Sequence, residues 1–110
     1  ILGLMRDEAI SKYKKKPINN FQQRKTIALS LKNIKKILPV HDLNDFLKLS
    51  KKYKFEYFVH GDDWKKKPQS YIRKKVIDLL SEWNGKVIDV PYTKKISSSL
   101  IKFRIYKNDK

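Results

Sequence analysis

The sequence predicts an α/β fold with a parallel sheet and helices on both faces. Apolar runs of strand length alternate with amphipathic stretches of helix length, in the order β-α-α-β-α-β-α-β-α, which is typical of parallel sheets with crossover helices. The chain also opens on Ile1–Met5, a continuous apolar run that indicates a buried strand. Because a domain seldom begins inside such a strand, we expect the sheet to be incomplete at its N-terminus.

Two helices are predicted after this strand. Asp7–Lys15 has apolar residues at helical spacing. Asn20, with Gln23 three positions later, has the pattern of a capping box, so a second helix is expected to begin there and to run to about Asn33. Its buried stripe is expected to consist of Ile27, Leu31 and Ile34.

A strand, a helix and another strand follow. Lys36–Val40 favours a strand, in which Pro39 argues for an edge position or a strand end. Asp42 is a candidate N-cap for a third helix that ends near Lys52. Phe55–Val59 is aromatic and β-branched, as expected of a strand.

The last part of the chain repeats this alternation. Gly61–Pro68 is polar and predicts a loop, and Ser70 is expected to cap a helix that Gly85 closes in the left-handed conformation. Lys86–Val90 is predicted as the last strand, and Ser97–Tyr106 as a final helix capped by its first residue. The apolar side of the fourth helix is expected to carry Ile72, Val76, Leu79, Leu80 and Trp83.

Composition narrows the class of protein. A chain of 110 residues is one domain or part of one, here 1–106 with a polar tail or linker start at 107–110. The absence of cysteine excludes disulfides and thiolate metal sites, and suits a cytoplasmic protein. No apolar run approaches the roughly 20 residues of a membrane span, so no membrane association is expected.

The formal charge of +16 comes from 27 lysine and arginine residues against 11 acidic ones. Lysine runs of this kind are most often a solvated surface. A field that attracts a phosphorylated ligand is the second interpretation, and nucleic-acid binding is the third.

Polar residues follow the third predicted strand in the first loop, His60–Trp64, which consists of His60, Gly61, Asp62, Asp63 and Trp64. Glycine lets a backbone approach a ligand, carboxylates accept from amino or hydroxyl groups, and an indole offers a face for a base. The same residues also suit an ordinary turn.

Hydroxyl groups follow the last strand in the second loop, Tyr92–Ser99, where Thr93, Ile96, Ser97, Ser98 and Ser99 are the candidate site residues. Its serines open a helix, where free N–H groups and the helix dipole favour an anion, although an N-cap alone would explain them. Both loops are expected at one edge of the sheet, where ligands of such sheets bind. Arg24, in the first turn of the second helix, is either a phosphate contact or a surface residue.

These motifs resemble the cytidylyltransferases of the glycerol-3-phosphate cytidylyltransferase group. The closer likeness is to the cytidylyltransferase domain associated with phosphoenolpyruvate mutase in phosphonate biosynthesis. The segments that carry it, in order along nearly the whole chain, are Gly3–Ile10, Gln23–Lys25, Val59–Lys65, Arg73–Asp78, Glu82–Gly85, Pro91–Lys94 and the Ile-Ser-Ser-Ser run that begins at Ile96.

The resemblance implies a Rossmann-like fold and transfer of CMP from CTP to a phosphate or phosphonate, with release of pyrophosphate and Mg²⁺ as helper. The first loop would lie by the cytosine and ribose, and Thr93 with the three serines would hold the phosphates. Arg24 and Lys15 would meet phosphate or acceptor charge. A fused or separate phosphoenolpyruvate mutase is a further expectation. A homodimer is expected for a different reason, because a short sheet without its first strand would expose apolar surface.

Two departures from the family pattern bear on activity. The catalytic His-x-Gly-His motif is absent, so this chain has no catalytic residues of its own, is expected to lack the first strand and helix of the domain, and is expected to be inactive alone. Lys95 stands where the family prefers glycine. The alternatives are therefore a degenerate relative that binds a nucleotide without catalysis, and a small basic nucleic-acid-binding module.

Overall fold

The computed structural model describes residues 1–108, and the predicted alternation of strands and helices is confirmed over that range. The strands are β1 (Leu2–Met5), β2 (Ile37–Val40), β3 (Tyr57–Gly61) and β4 (Lys86–Val90). The helices are α1 (Asp7–Ser11), α2 (Phe21–Leu29), α3 (Asp45–Tyr53), α4 (Ser70–Ser81) and α5 (Ser98–Asn108), with a 3₁₀ turn at Asp62–Lys65 between β3 and α4.

The strands form two parallel pairs. β1 pairs with β2, Leu2 opposite Ile37, and β3 pairs with β4, Tyr57 opposite Lys86. The predicted parallel pairing is confirmed, but among residues 1–108 the strands do not join into one sheet. The fold is thus α/β and agrees with an incomplete Rossmann-like domain.

A cavity of about 430 Å³ separates the two pairs. Consecutive residues of β3, from Tyr57 to His60, line it together with Leu2, Gly3 and Met5 of β1. Because successive side chains of a strand point to opposite faces, a cavity lined by all of them runs along the strand's edge rather than over one face. The unpaired edges of β1 and β3 therefore border the same space.

The core lies between α3, α4 and the strands. Its buried residues are Val40, Leu43, Phe46, Trp64, Ile72, Val76 and Leu80. The 3.6-residue period of α4 places three of these on one face, as predicted. The opposite face of the β3–β4 pair is apolar but exposed, since Tyr57 and Val59 alternate with the packed Phe58 and His60.

The first two helices are shorter than predicted. The capping box of Asn20 and Gln23 is present, with both hydrogen bonds at 2.9 Å, but α2 ends at Leu29. The predicted stripe is wrong, because Ile27 and Leu31 are more than half exposed while the buried positions are Phe21 and Ala28. The prediction of a helix is confirmed, but this short helix packs against β1 with a different face from the one predicted.

Several boundaries also differ. β3 begins two residues later than predicted and includes His60 and Gly61, so the polar turn starts only at Asp62. Ser70 is the first helical residue of α4, and the flanking Gln69 makes no capping hydrogen bond with its side chain. α3 begins at Asp45, with the Asp42 carboxylate accepting from the Asn44 backbone N–H at 2.8 Å.

Gly85 does not adopt the predicted left-handed conformation, which belongs to Asn84 at a φ of 61°. Glycine is required at position 85 for space instead. An added Cβ would lie 2.8 Å from the Phe55 carbonyl oxygen and 3.0 Å from the Trp83 Nε1.

At the C-terminus, Ser97 caps α5 as predicted, accepting from the Leu100 N–H at 3.1 Å. The helix continues through Lys107 and Asn108. The remainder of the predicted tail, 109–110, lies outside the described residues. Within 1–108, no helix has both the length and the apolar character needed to cross a bilayer.

Candidate nucleotide site

The candidate site lies at the carboxyl ends of β3 and β4. These strands are parallel neighbours, with Gly61 opposite Val90 at the last paired position. The first and second loops therefore leave the same edge, as the sequence predicted. Both border one cavity of about 370 Å³, whose lining residues are Gly61, Val90, Pro91, Tyr92, Thr93 and Ile96.

Two carboxylates of the first loop directly follow Gly61, the residue of that loop that lines this cavity. Asp63 is exposed and Asp62 is half-buried, both in the 3₁₀ turn that directly follows β3. A Cβ atom on Gly61 would lie 3.0 Å from the Asp63 Oδ1. The bare backbone of Gly61 thus allows that carboxylate to fold back towards the cavity mouth, where it can accept from a ligand donor.

Trp64 does not offer a free face for a base. Its side chain is fully buried, with its ring 4.2 Å from the His60 ring and 5.3 Å from the Phe58 ring, both in stacked orientations. The indole N–H donates to the Asp89 carboxylate at 2.6 Å, so its only donor is also engaged. The aromatic residue of the first loop is a core anchor in this structure.

Asp89 joins three elements. Besides accepting from Trp64, its carboxylate accepts from Arg73 of α4, at 2.8 Å from Nη2 and 3.2 Å from Nε. It lies on β4, one residue before the end of the strand. Asp89 therefore ties the turn after β3 to the strand from which the second loop leaves.

Hydrogen bonds to the ionised carboxylate are the main cause of the lowered pKa of Asp89. The bonds from Arg73, and then that from Trp64, hold the pKa of Asp89 at about 2, although burial opposes the change. The same carboxylate raises the pKa of the Arg73 guanidinium. Asp89 is consequently an anion across the physiological pH range.

The second loop is open to solvent. Thr93, Ile96 and Ser97 to Ser99 are all exposed. Tyr92 is 59% exposed, and one edge of its ring lies against Gly61, where an added Cβ would be 3.4 Å from the ring. The ring thus forms part of the wall between the two loops.

Lys95 has a φ of 63°, in the left-handed region where side chains are disfavoured. This conformation gives a physical reason for glycine at the corresponding position of the family. The lysine is accommodated here at the cost of local strain.

Arg24 and Lys15 lie elsewhere. The Arg24 guanidinium donates to the Met5 carbonyl oxygen at 2.8 Å and to the Asp7 carboxylate at 2.6 Å, and its Nε donates to the Asn19 carbonyl oxygen at 3.1 Å. These bonds fix α2 to the end of β1. Lys15 is exposed in the turn after α1, and neither side chain lines the cavity between the two loops.

The sequence prediction missed three residues of this region. A single carboxylate inside the otherwise apolar strand β4 indicates a paired, half-buried group, and this pattern could have identified Asp89. Arg73, on the exposed-looking side of α4, gave no signal of its own. Tyr92 was part of the resemblance but was not singled out as a site residue.

Comparison with known proteins defines the class. A family model described as cytidylyltransferase-like matches residues 1–104. The chain is 30% identical, over 102 residues, to a glycerol-3-phosphate cytidylyltransferase of Bacillus spizizenii, and the match covers 93% of this chain and 71% of that protein. The chain has an α/β fold, two of its loops border one cavity, and both comparisons match cytidylyltransferases. It is therefore a nucleotidyltransferase domain. It belongs to the cytidylyltransferase-like family.

Proposed function

We propose that this domain transfers CMP from CTP to a small phosphate or phosphonate acceptor, with release of pyrophosphate. The observation that carries the proposal is the shared cavity at the carboxyl ends of β3 and β4, bordered by a carboxylate-bearing loop and a hydroxyl-bearing loop. Parallel α/β sheets bind nucleotides in this position. Catalysis would consist mainly of positioning and of charge stabilisation at phosphorus.

The two loops divide the nucleotide between them in this proposal. Asp63, exposed at the cavity mouth, accepts from the exocyclic amino group of cytosine, and Asp62 lies nearer the ribose. Thr93 and Ser97–Ser99 hold the phosphates. The first N–H groups of α5 have no partners within the helix and reinforce an anion there, although the Ser97 hydroxyl is already used as a cap.

Mg²⁺ fits this site only as part of the nucleotide complex. Among residues 1–108, no three histidine or acidic side chains gather closely enough to hold a cation by themselves. Mg²⁺ in phosphoryl-transfer sites is held largely by substrate phosphates and water, with one or two carboxylates. Its contribution when bound is to neutralise phosphate charge, and Asp62 and Asp63, which directly follow the cavity-lining Gly61, are the carboxylates that would join its ligands.

We also propose that the complete domain has a further strand between β1 and β3. The support is the cavity of about 430 Å³ that runs along both unpaired strand edges. A strand of the same polypeptide, upstream of β1, would pair with both edges and make one parallel sheet. Its carboxyl end would bring the family's histidine motif beside the candidate site, so that residues 1–110 alone would bind nucleotide without turnover.

The acceptor is proposed to be a phosphonate or a simple phosphate ester. The Arg24 guanidinium has three of its donors engaged within the fold, and the exposed Lys15 does not line the cavity between the two loops, so a contact of either side chain with the acceptor rests on the sequence resemblance alone. Association with a phosphoenolpyruvate mutase rests on the sequence resemblance alone.

The nucleotide proposal is tested by the thermal midpoint of the full-length protein with CTP and Mg²⁺. We expect stabilisation of about 3 kcal/mol when CTP is present at 100 times its Kd, and less with ATP. Asp63→Ala should reduce this gain, whereas the control Asp78→Ala, at an exposed position of α4, should leave it intact. No gain with millimolar CTP would reject the proposal.

The formal charge of +16 supports nucleic-acid binding as a second candidate. That function predicts affinity for any DNA or RNA that falls steeply with salt concentration. Titration of a short single-stranded RNA at two salt concentrations, with and without CTP, separates the two. Competition by CTP at low concentration supports the nucleotide site, and salt-dependent binding that CTP leaves unchanged supports the second candidate.

A further inference from the structure

The aromatic face available at the candidate site belongs to Tyr92. Trp64, the aromatic residue of the first loop, is fully buried and its N–H is held by Asp89. Tyr92 is 59% exposed and lines the cavity that both loops border. A planar ligand group that enters this cavity therefore meets the phenol ring rather than the indole.

One edge of this ring faces the backbone of the first loop. Its Cε2 edge lies against Gly61, where even a methyl group would come within 3.4 Å. Pro91, immediately before it, has its own φ fixed by its ring, which restrains the backbone that leads into Tyr92. The ring is thus bounded on the side of Gly61, and its remaining surface is open to a ligand.

The surroundings match a nucleobase. Ile96, also 59% exposed, lines the same cavity and provides a second apolar surface. The exposed Asp63 carboxylate stands beside Gly61 and can accept from a group at the edge of a base. An aromatic face, an aliphatic neighbour and an edge acceptor together suit a flat heterocycle that carries an amino group.

We infer that Tyr92 stacks on the base of the bound nucleotide, while Asp89 keeps Trp64 in the core and out of this role. The inference rests on the proposed function, because it concerns the same nucleotide. It assigns affinity for the base to the second loop, although the sequence pattern suggested that this loop binds phosphate only.

The test compares Tyr92→Ala, Tyr92→Phe and the control Tyr71→Ala, at a half-exposed position of α4 away from the cavity. Binding of CTP with Mg²⁺ and of tripolyphosphate with Mg²⁺ is measured by calorimetry on the full-length protein. Tyr92→Ala should weaken CTP binding about 5- to 150-fold, the range for loss of one base–aromatic stack, and leave tripolyphosphate binding within about twofold. Tyr92→Phe and Tyr71→Ala should bind both ligands as the unaltered protein does.

Each other outcome overturns the inference. Unchanged CTP binding by Tyr92→Ala, while the unaltered protein binds CTP, rejects stacking and leaves the proposed function standing. An equal loss for both ligands means that Tyr92 supports the phosphate region instead. Absence of CTP binding by the unaltered protein removes the proposed function and the inference together. A direct readout is the upfield shift of the cytosine H5 and H6 resonances, which a stacked phenol ring produces and Tyr92→Ala should abolish.

Discussion

Replacing Asp89 with asparagine tests whether a charged carboxylate holds the two loops together. The amide can still accept from the Trp64 N–H, but it loses the negative charge that pairs with Arg73. The pKa of Asp89 falls from its ordinary value of 3.8 to about 2, which corresponds to about 2 kcal/mol in favour of the folded state at neutral pH. The side chain is 17% exposed, so solvent screening is limited.

The sign of the pH dependence follows from the lowered pKa. As pH falls from about 4 to about 2, the unfolded chain takes up a proton at Asp89 before the folded chain does, so this contribution to stability is lost over that interval. Asp89→Asn should therefore be about 2 kcal/mol less stable than the unaltered protein at pH 6. The difference should shrink towards zero near pH 2.

The assay is urea unfolding of both proteins at a series of pH values between 7 and 2, with Asp78→Asn as the control for loss of an exposed carboxylate from α4. The control should differ from the unaltered protein by no more than about 0.5 kcal/mol. A difference for Asp89→Asn that stays constant across the series would refute the reasoning. Asp89→Ala should cost more, about 2–4 kcal/mol, because it also leaves the buried Trp64 N–H without an acceptor.

Three further substitutions test separate contacts by the free energy of unfolding in urea. Gly85→Ala should cost about 1–3 kcal/mol, because its Cβ would lie 2.8 Å from the Phe55 carbonyl oxygen, and a neutral result would show that this backbone can move aside. Lys95→Gly should stabilise by about 1 kcal/mol through relief of the left-handed conformation, and a loss of stability would mean that the lysine side chain has an essential contact. Arg24→Met should cost about 2 kcal/mol through loss of the partly buried bonds to Asp7 and the Met5 carbonyl oxygen, whereas an unchanged midpoint would identify a dispensable surface residue.

The strand and helix order could be read from the sequence because each apolar run has the right length and clear flanking signals. Lys86–Val90 matches β4 at both ends, since Gly85 and Pro91 delimit it. The capping box at Asn20 was equally clear, because both of its hydrogen bonds are local. Parallel pairing followed from the alternation itself.

The side of a short helix that faces the core could not be read from the sequence. Ile27 and Leu31 have the spacing of a buried stripe, yet α2 ends at Leu29 and its buried residues are Phe21 and Ala28. Packing against β1 and the hydrogen bonds of Arg24 decide this orientation, and both are contacts between residues distant in sequence.

The candidate site, too, could be predicted from the sequence only in part. The meeting of the two loops was predictable, because parallel neighbouring strands present their carboxyl ends together. The burial of Trp64 and the exposure of Tyr92 were not, because the burial of Trp64 depends on the hydrogen bond from its indole to Asp89, 25 positions away. An aromatic residue in a polar loop gives no sign in sequence of whether it faces the solvent or the core.

The two loops, their strands and the helix between them form one uninterrupted stretch of sequence, from β3 to the start of α5. Its strands nevertheless pair across the whole of α4, with Tyr57 opposite Lys86, so the cavity between the two loops forms only once β4 has joined β3. The stretch does not stand alone, because Phe46 of α3 packs against both Phe58 and Trp64 beneath the two loops, so a change in α3 can alter the candidate site without touching either loop.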